Sequence, residues 1–194
     1  MSTFPRLFSG LCAALLCALT LAGCAPKDTV RLLYTPVTPS VLPAPTAPRV
    51  AVVLFEDKRG KQEIGTRSKG GVFSAATSVP EWISRSLADE ISRMGPQVSY
   101  APSIQLAQSA RPDYIVTGTV EEVWVKESNP TTYAATVRIS FNVANRQGSV
   151  YSQNLSSSQE KTGLPSSGMV EDLLTGTLRE VLGVAASKIS EATH

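Results

Sequence analysis

Beyond position 24 the sequence contains no cysteine, since the three it has are Cys12, Cys17 and Cys24. That excludes an intramolecular disulfide or a cysteine metal cluster from the body of the chain, so a packed core has to hold the fold alone. Histidine is almost as scarce: the one copy, His194, is the last residue, where fraying makes it a poor base or metal ligand. Charge of one sign is lacking too, with a formal balance of +2, too small to make the basic field that nucleic-acid binding needs. Aromatic residues make up 6%, yet 42% hydrophobic and 18% charged residues describe a globular chain.

What the N-terminus does have is a short apolar run. Arg6 is its only charge, the apolar core spans about Leu11 to Leu21, and Leu21, Ala22, Gly23 and Cys24 close it. The run is shorter than the roughly 20 apolar residues a spanning helix needs. It reads as a signal peptide (1–23) of the bacterial lipoprotein class, which implies cleavage after Gly23 and acyl chains on Cys24. Removal of Arg6 lowers the charge balance to +1. Ala25 is not the aspartate associated with inner-membrane retention, so the expected address is the outer membrane, with the domain facing the periplasm. Residues 24–48 carry Pro26, Pro36, Pro39, Pro43, Pro45 and Pro48 and read as a semi-rigid tether, reaching about 70 Å if fully stretched. Val30 to Tyr34 either docks as an edge strand, shortening that reach, or stays mobile.

Residues 49–194 read as one domain. Val50 to Phe55 is a continuous apolar run of strand length. Ser78 to Glu81 form a capping box before Val79, Trp82, Ile83, Leu87, Ile91 and Met94 at helical spacing, and Gly95 with Pro96 ends that helix ahead of a strand at Gln97 to Tyr100. A short helix at Ile104 to Ser109 precedes a long strand, Asp113 to Lys126, with Gly118 as a bulge or close-packing point. Tyr133, Ala135, Val137, Ile139, Phe141 and Val143 then alternate with polar or small residues, which predicts an antiparallel strand with one buried face and a fixed register. A turn at Arg146 to Gly148 leads to a polar edge strand near Val150 to Leu155. Val170, Leu173, Leu174, Leu178, Val181, Leu182, Ala185 and Ile189 form the stripe of a C-terminal helix. The expected fold is α/β in an α+β-like arrangement: a mixed, largely antiparallel sheet with a β-α-β start, a three-strand meander and two principal helices packed on it.

Candidate site residues are few. The Gly-rich stretch Glu56 to Gly71 carries Lys58, Arg59, Lys61, Arg67 and Lys69, which could hold an anion or a partner, although a solvated hairpin is the commoner meaning of such a loop. It lacks the spacing of a P-loop. Trp82 falls on the apolar stripe and reads as core. Glu56 with Asp57, or Glu121 with Glu122, could be nominated as acid and base, but neighbours in a regular strand point to opposite faces, which argues against the second pair. No catalytic constellation, metal site or cofactor motif is recognised, and the expectation is a protein that is not an enzyme.

The box ending at Cys24, the proline-rich stretch, the strand Val50 to Phe55 followed by Glu56, Asp57, Lys58 and Arg59, Ile64 with Gly65, and Val79 to Gly95 together resemble the YajG-type bacterial lipoproteins. The resemblance implies a membrane-tethered periplasmic domain with a sheet and covering helices, and carries no activity to any residue. The layout is also similar to that of lipoproteins auxiliary to ABC-type lipid transport, and of tethered activators of cell-wall synthases. The leading expectation is a noncatalytic interaction module with an envelope protein as partner. A lipid-transport accessory that binds lipid is the alternative.

Overall fold

A computed structural model describes residues 27–37, 39–164 and 166–193; the signal segment, the cleavage site, Cys24 and His194 lie outside them. Among the described residues, nine strands and three helices follow in the order β1 (Lys27–Val30), β2 (Arg49–Val53), β3 (Glu56–Asp57), β4 (Glu63–Thr66), β5 (Val72–Ala75), α1 (Val79–Arg93), β6 (Gln97–Ala101), α2 (Ile104–Ser109), β7 (Tyr114–Asn129), β8 (Thr132–Asn145), β9 (Gly148–Thr162) and α3 (Ser167–Thr193). This is the mixed α/β architecture expected from periodicity, including the parallel β2-α1-β6 unit and the β7-β8-β9 meander.

The long strand β7 is the spine. One of its edges pairs antiparallel with β8 over almost its whole length, and β8 pairs with β9. The other edge is shared in succession by three parallel partners: β2 at Tyr114 to Val116, β3 at Thr119 and Val120, and β4 at Val125 and Lys126. β2 carries β6 outward, while β4 carries β5 and β1, so the sheet forks along one side of β7. Between β2 and β3, the Phe55 amide leaves the ladder and donates to Ser84 Oγ on α1 at 2.9 Å, which satisfies a buried backbone group.

α1 and α3 cover one face. All eight apolar positions of the C-terminal stripe are buried there against Val120, Val137, Ile139 and Phe141. Each large side chain of that set contributes about 1.5–3 kcal/mol by leaving water. Ser78 caps α1 by accepting from the Glu81 amide, Gly95 follows its end with φ +107°, and Trp82 is in the core. α2 packs at one corner of the opposite face, where Ala107 meets Ala51, Val53 and Ala101 in a second, small apolar cluster with Ile115.

Three expectations change. The polar edge strand runs from Gly148 to Thr162, well beyond Leu155, because the equally long β8 offers it a continuous ladder. The stretch 56–71 is less a loop than β3, β4 and the first turn of a β4–β5 hairpin, since β7 supplies parallel pairing that the local sequence does not reveal. Of the two alternatives for Val30 to Tyr34, docking is observed, with the strand itself displaced to Lys27–Val30 at a sheet edge. Beyond it the chain is fastened to the helices rather than free to stretch: Arg31 pairs with Glu171, the buried Leu32 enters the core, and the Tyr34 hydroxyl donates to Glu90 at 2.5 Å. Burial and the Glu90 carboxylate push the Tyr34 pKa up. Further along, the Val41 amide donates to the Arg93 carbonyl and the Gln97 amide to the Pro48 carbonyl.

Candidate binding site on the open sheet face

The alternation that buries Val137, Ile139 and Phe141 turns Thr136, Arg138, Ser140 and Asn142 to the other face, beside Thr117, Thr119, Glu122 and Trp124 of β7 and Ser152, Asn154, Ser156 and Ser158 of β9. This face is polar and cross-linked. Thr119 and Ser140 hydroxyls lie 2.6 Å apart, those of Thr136 and Ser158 2.8 Å, and Arg138 pairs with Glu122 at 3.2 Å.

Where α2 stands off from the sheet it leaves a cavity of about 640 Å³ against the start of β7 and the end of β8. Ser103 starts α2 by accepting from the Leu106 amide, and small residues at the Ala107 contact seat the helix close to β2 and β6. The helix ends at Ala110. Arg111 then adopts φ +50° ahead of Pro112, a left-handed conformation that side chains rarely occupy. Asp113 lines the cavity, yet its carboxylate accepts from the Arg49 amide at 2.9 Å and pairs with the Arg49 guanidinium at 3.4 Å. That bond to the Arg49 backbone, helped by the guanidinium and more weakly by Arg146, holds its pKa below the usual carboxylate range. Across the cavity, Asn142 Oδ1 accepts from the Ser149 hydroxyl and Asn145 Oδ1 from the Gln147 amide, which leaves both NH₂ groups and one lone pair on each oxygen. Arg146 closes this wall.

A second groove, about 280 Å³, lies further along β7 and holds part of the charged stretch singled out in the sequence. Arg59 and Lys61 line it with Trp124, Glu121 and Glu122. A register shift between Val120 and Glu122 marks a bulge, and a bulge suspends the strict alternation of a strand. The two glutamates therefore share one groove, against the expectation of opposite faces.

The five cations do not converge. Lys58 pairs with its neighbour Glu56, and Lys61 Nζ sits 5.1 Å over the Trp124 ring. Arg67 belongs to a different cluster, paired with Asp28 and with the buried Glu127, and thereby clamps β1 and the β4–β5 turn to β7. Lys69 is exposed in that turn. Arg59 is the most enclosed, its side chain 8% exposed and forked onto Asp57 at 2.8 and 2.6 Å, with Nη1 buried and unpartnered. The fork holds the Asp57 pKa below its ordinary 3.8. Because the folded value is depressed, the stabilisation is present above the unfolded pKa and lost as pH falls through the folded one. Asp57→Asn should therefore cost about 1–2 kcal/mol at pH 7, and the gap from the parent should close as the solution is acidified below the ordinary carboxylate pKa. Urea unfolding at a series of pH values measures it.

Arg111, Arg146, Asn142 and Asn145 were not singled out by sequence. Arg111 lies some thirty positions before the other three, and a positive φ at an arginine leaves no mark in the residues around it.

No family model and no curated protein matches the sequence. Solved structures do. A Xanthomonas campestris protein of the DUF330 family superposes with a TM-score of 0.59 at 16% identity, covering 88% of this chain and 96% of its own. A PelC dodecamer from Paraburkholderia phytofirmans gives 0.49 at 19% identity over 75% of this chain and 93% of that one. A Neisseria meningitidis lipoprotein gives 0.41 at 14% identity, with 74% and 99% covered. An identity this low makes the likeness to the Xanthomonas protein one of fold.

Proposed function

We propose that this chain is a bacterial envelope lipoprotein, anchored in the outer membrane through acylated Cys24, whose periplasmic domain is a noncatalytic module for an envelope protein partner. The observation that carries the reading is the uncovered face of β7, β8 and β9: a broad polar surface on a rigid antiparallel meander, roofed by a helix only at the α2 corner. Interface rims are polar, and a twisted sheet face presents them without a loop to order. The fold also orients that face. β1 begins three residues after Cys24 and is level, through β5 and β4, with Lys126 near the end of β7. Acylation would thus hold the Asn129 end of the sheet near the membrane and turn the α2 corner toward the periplasm.

A photo-cross-linking residue at Ser156, on the open face, is expected to capture an envelope protein in intact cells, while one at Ser187, an exposed-side position of α3 (the helix-covered face), captures none. Mass spectrometry of protein and lipid in the same complexes tests the lipid-transport alternative. Capture from Ser187 alone would refute the face assignment, and stoichiometric phospholipid would favour a transport accessory over a protein-binding module.

A further inference from the structure

We infer that the cavity between α2 and the end of β8 binds an amphipathic organic anion, a carboxylate or phosphate group carried on a short apolar body. The inference stands independently of the protein partner proposed above. Two guanidiniums, Arg111 and Arg146, reach the cavity from separate elements, the α2–β7 turn and the β8–β9 turn. Among the described residues neither has a hydrogen bond or ion pair to its side chain; the Asp113 carboxylate that also lines the cavity is paired with Arg49 and interacts with Arg146 only weakly. The Asn142 and Asn145 NH₂ groups add neutral donors on the same wall. Two cations thus line the cavity against a single carboxylate that is paired with Arg49, a charge balance that favours an anion.

Ile104, Pro112, Ile115 and Ala144 give the cavity apolar wall beside the polar Gln108 and Thr117, and the volume of about 640 Å³ is within the usual range of roughly 300–1,000 Å³ for small-molecule sites. A bare inorganic anion would leave those walls wet. The left-handed backbone at Arg111, a conformation sparsely populated by residues with a side chain, sets the direction in which the chain leaves the α2 end.

The test uses the Cys24→Ala chain, whose residues 27–193 hold every element of the fold. Isothermal titration calorimetry is run with hexanoate, hexyl phosphate and, as the uncharged analogue, hexanamide. At least one anion should saturate a single site, with hexanamide at least about tenfold weaker, and the better of the two anions identifies the head group. Arg111→Gln and Arg146→Gln should each weaken anion binding by about tenfold, while Arg138→Gln, on the same face outside the cavity, should not. Ala144→Phe, which fills the cavity and removes neither guanidinium, should abolish it. Thermal unfolding identifies the variants that keep the parent fold. Equal binding of amide and anions, unchanged anion binding in folded arginine variants, or no saturable binding by either anion would each overturn the inference.

Discussion

Gly118→Ala is expected to destabilise the domain by about 3 kcal/mol, at the upper end of what overpacking a close contact costs, and to lower its melting temperature by about 10 °C. A Cβ on Gly118 would lie 2.5 Å from the Ser140 carbonyl oxygen and 2.6 Å from two ring carbons of Phe55. Neither neighbour can retreat cheaply. The carbonyl belongs to the β7–β8 ladder, and the Phe55 ring is buried while its own amide is held by Ser84. The glycine is thus what lets the chain cross from β2 to β3 with the Phe55 ring packed directly against the spine. Urea and thermal unfolding of the variant measure the effect, and a loss below about 1 kcal/mol would mean that β7 and Phe55 can separate without cost.

Gly118 also shows how far the sequence speaks. A lone glycine inside a β-branched run marks a close approach, but not which side chain approaches. Elements whose stabilising partners recur at a fixed period were legible: the α1 and α3 stripes, the alternation of β8, and α2, whose bounds coincide with Ile104 to Ser109. β3 and β4 were not, because Glu56, Asp57 and Glu63 to Thr66 have neither period; both pair in parallel with β7 residues some sixty positions away, and β4 also pairs with β5. The polar serines of β9 hid its length for a similar reason: its last third gains ladder hydrogen bonds and contacts such as Ser157 and Gln159 with Glu180, and little apolar burial.

The charged stretch misled in an instructive way. Lys58, Arg59, Lys61, Arg67 and Lys69 are close in sequence, yet successive short strands step along β7 and deliver them to different partners, so that only Arg59 and Lys61 come to share a groove. The α2 cavity reverses that relation. Arg111 and Arg146 are distant in sequence and are brought to one opening because β7 and β8 form a hairpin whose ends meet there.

The second large effect concerns where the protein resides. Cys24→Ala is expected to move nearly all of the protein from the membrane to the soluble periplasmic fraction and to leave its thermal unfolding midpoint unchanged. On the proposed reading Cys24 is the acylated residue, and each acyl chain would contribute about 0.8 kcal/mol per buried CH₂ group, so losing a multiply acylated thiol would remove stable attachment altogether. It also places an alanine directly after Ala22 and Gly23, which completes the small-x-small pattern that ordinary secretory processing cuts, so the exported chain should still be released. Stability should not follow, because strand pairing begins at Lys27 and core burial at Val30. Cell fractionation with a melting curve on the released protein separates the two outcomes. A variant that stays in the membrane would show attachment through something other than Cys24, and one that is released but melts early would show that the anchor and the fold are coupled. Only two residues separate Cys24 from β1, a span of about 10 Å at most when extended, so an acyl anchor on Cys24 would hold β1 close to its membrane. The ten steps along β7 from Ile115 to Val125 separate the α2 cavity from that end of the sheet by about 30 Å, which under such an anchor would leave the cavity open to periplasmic solutes.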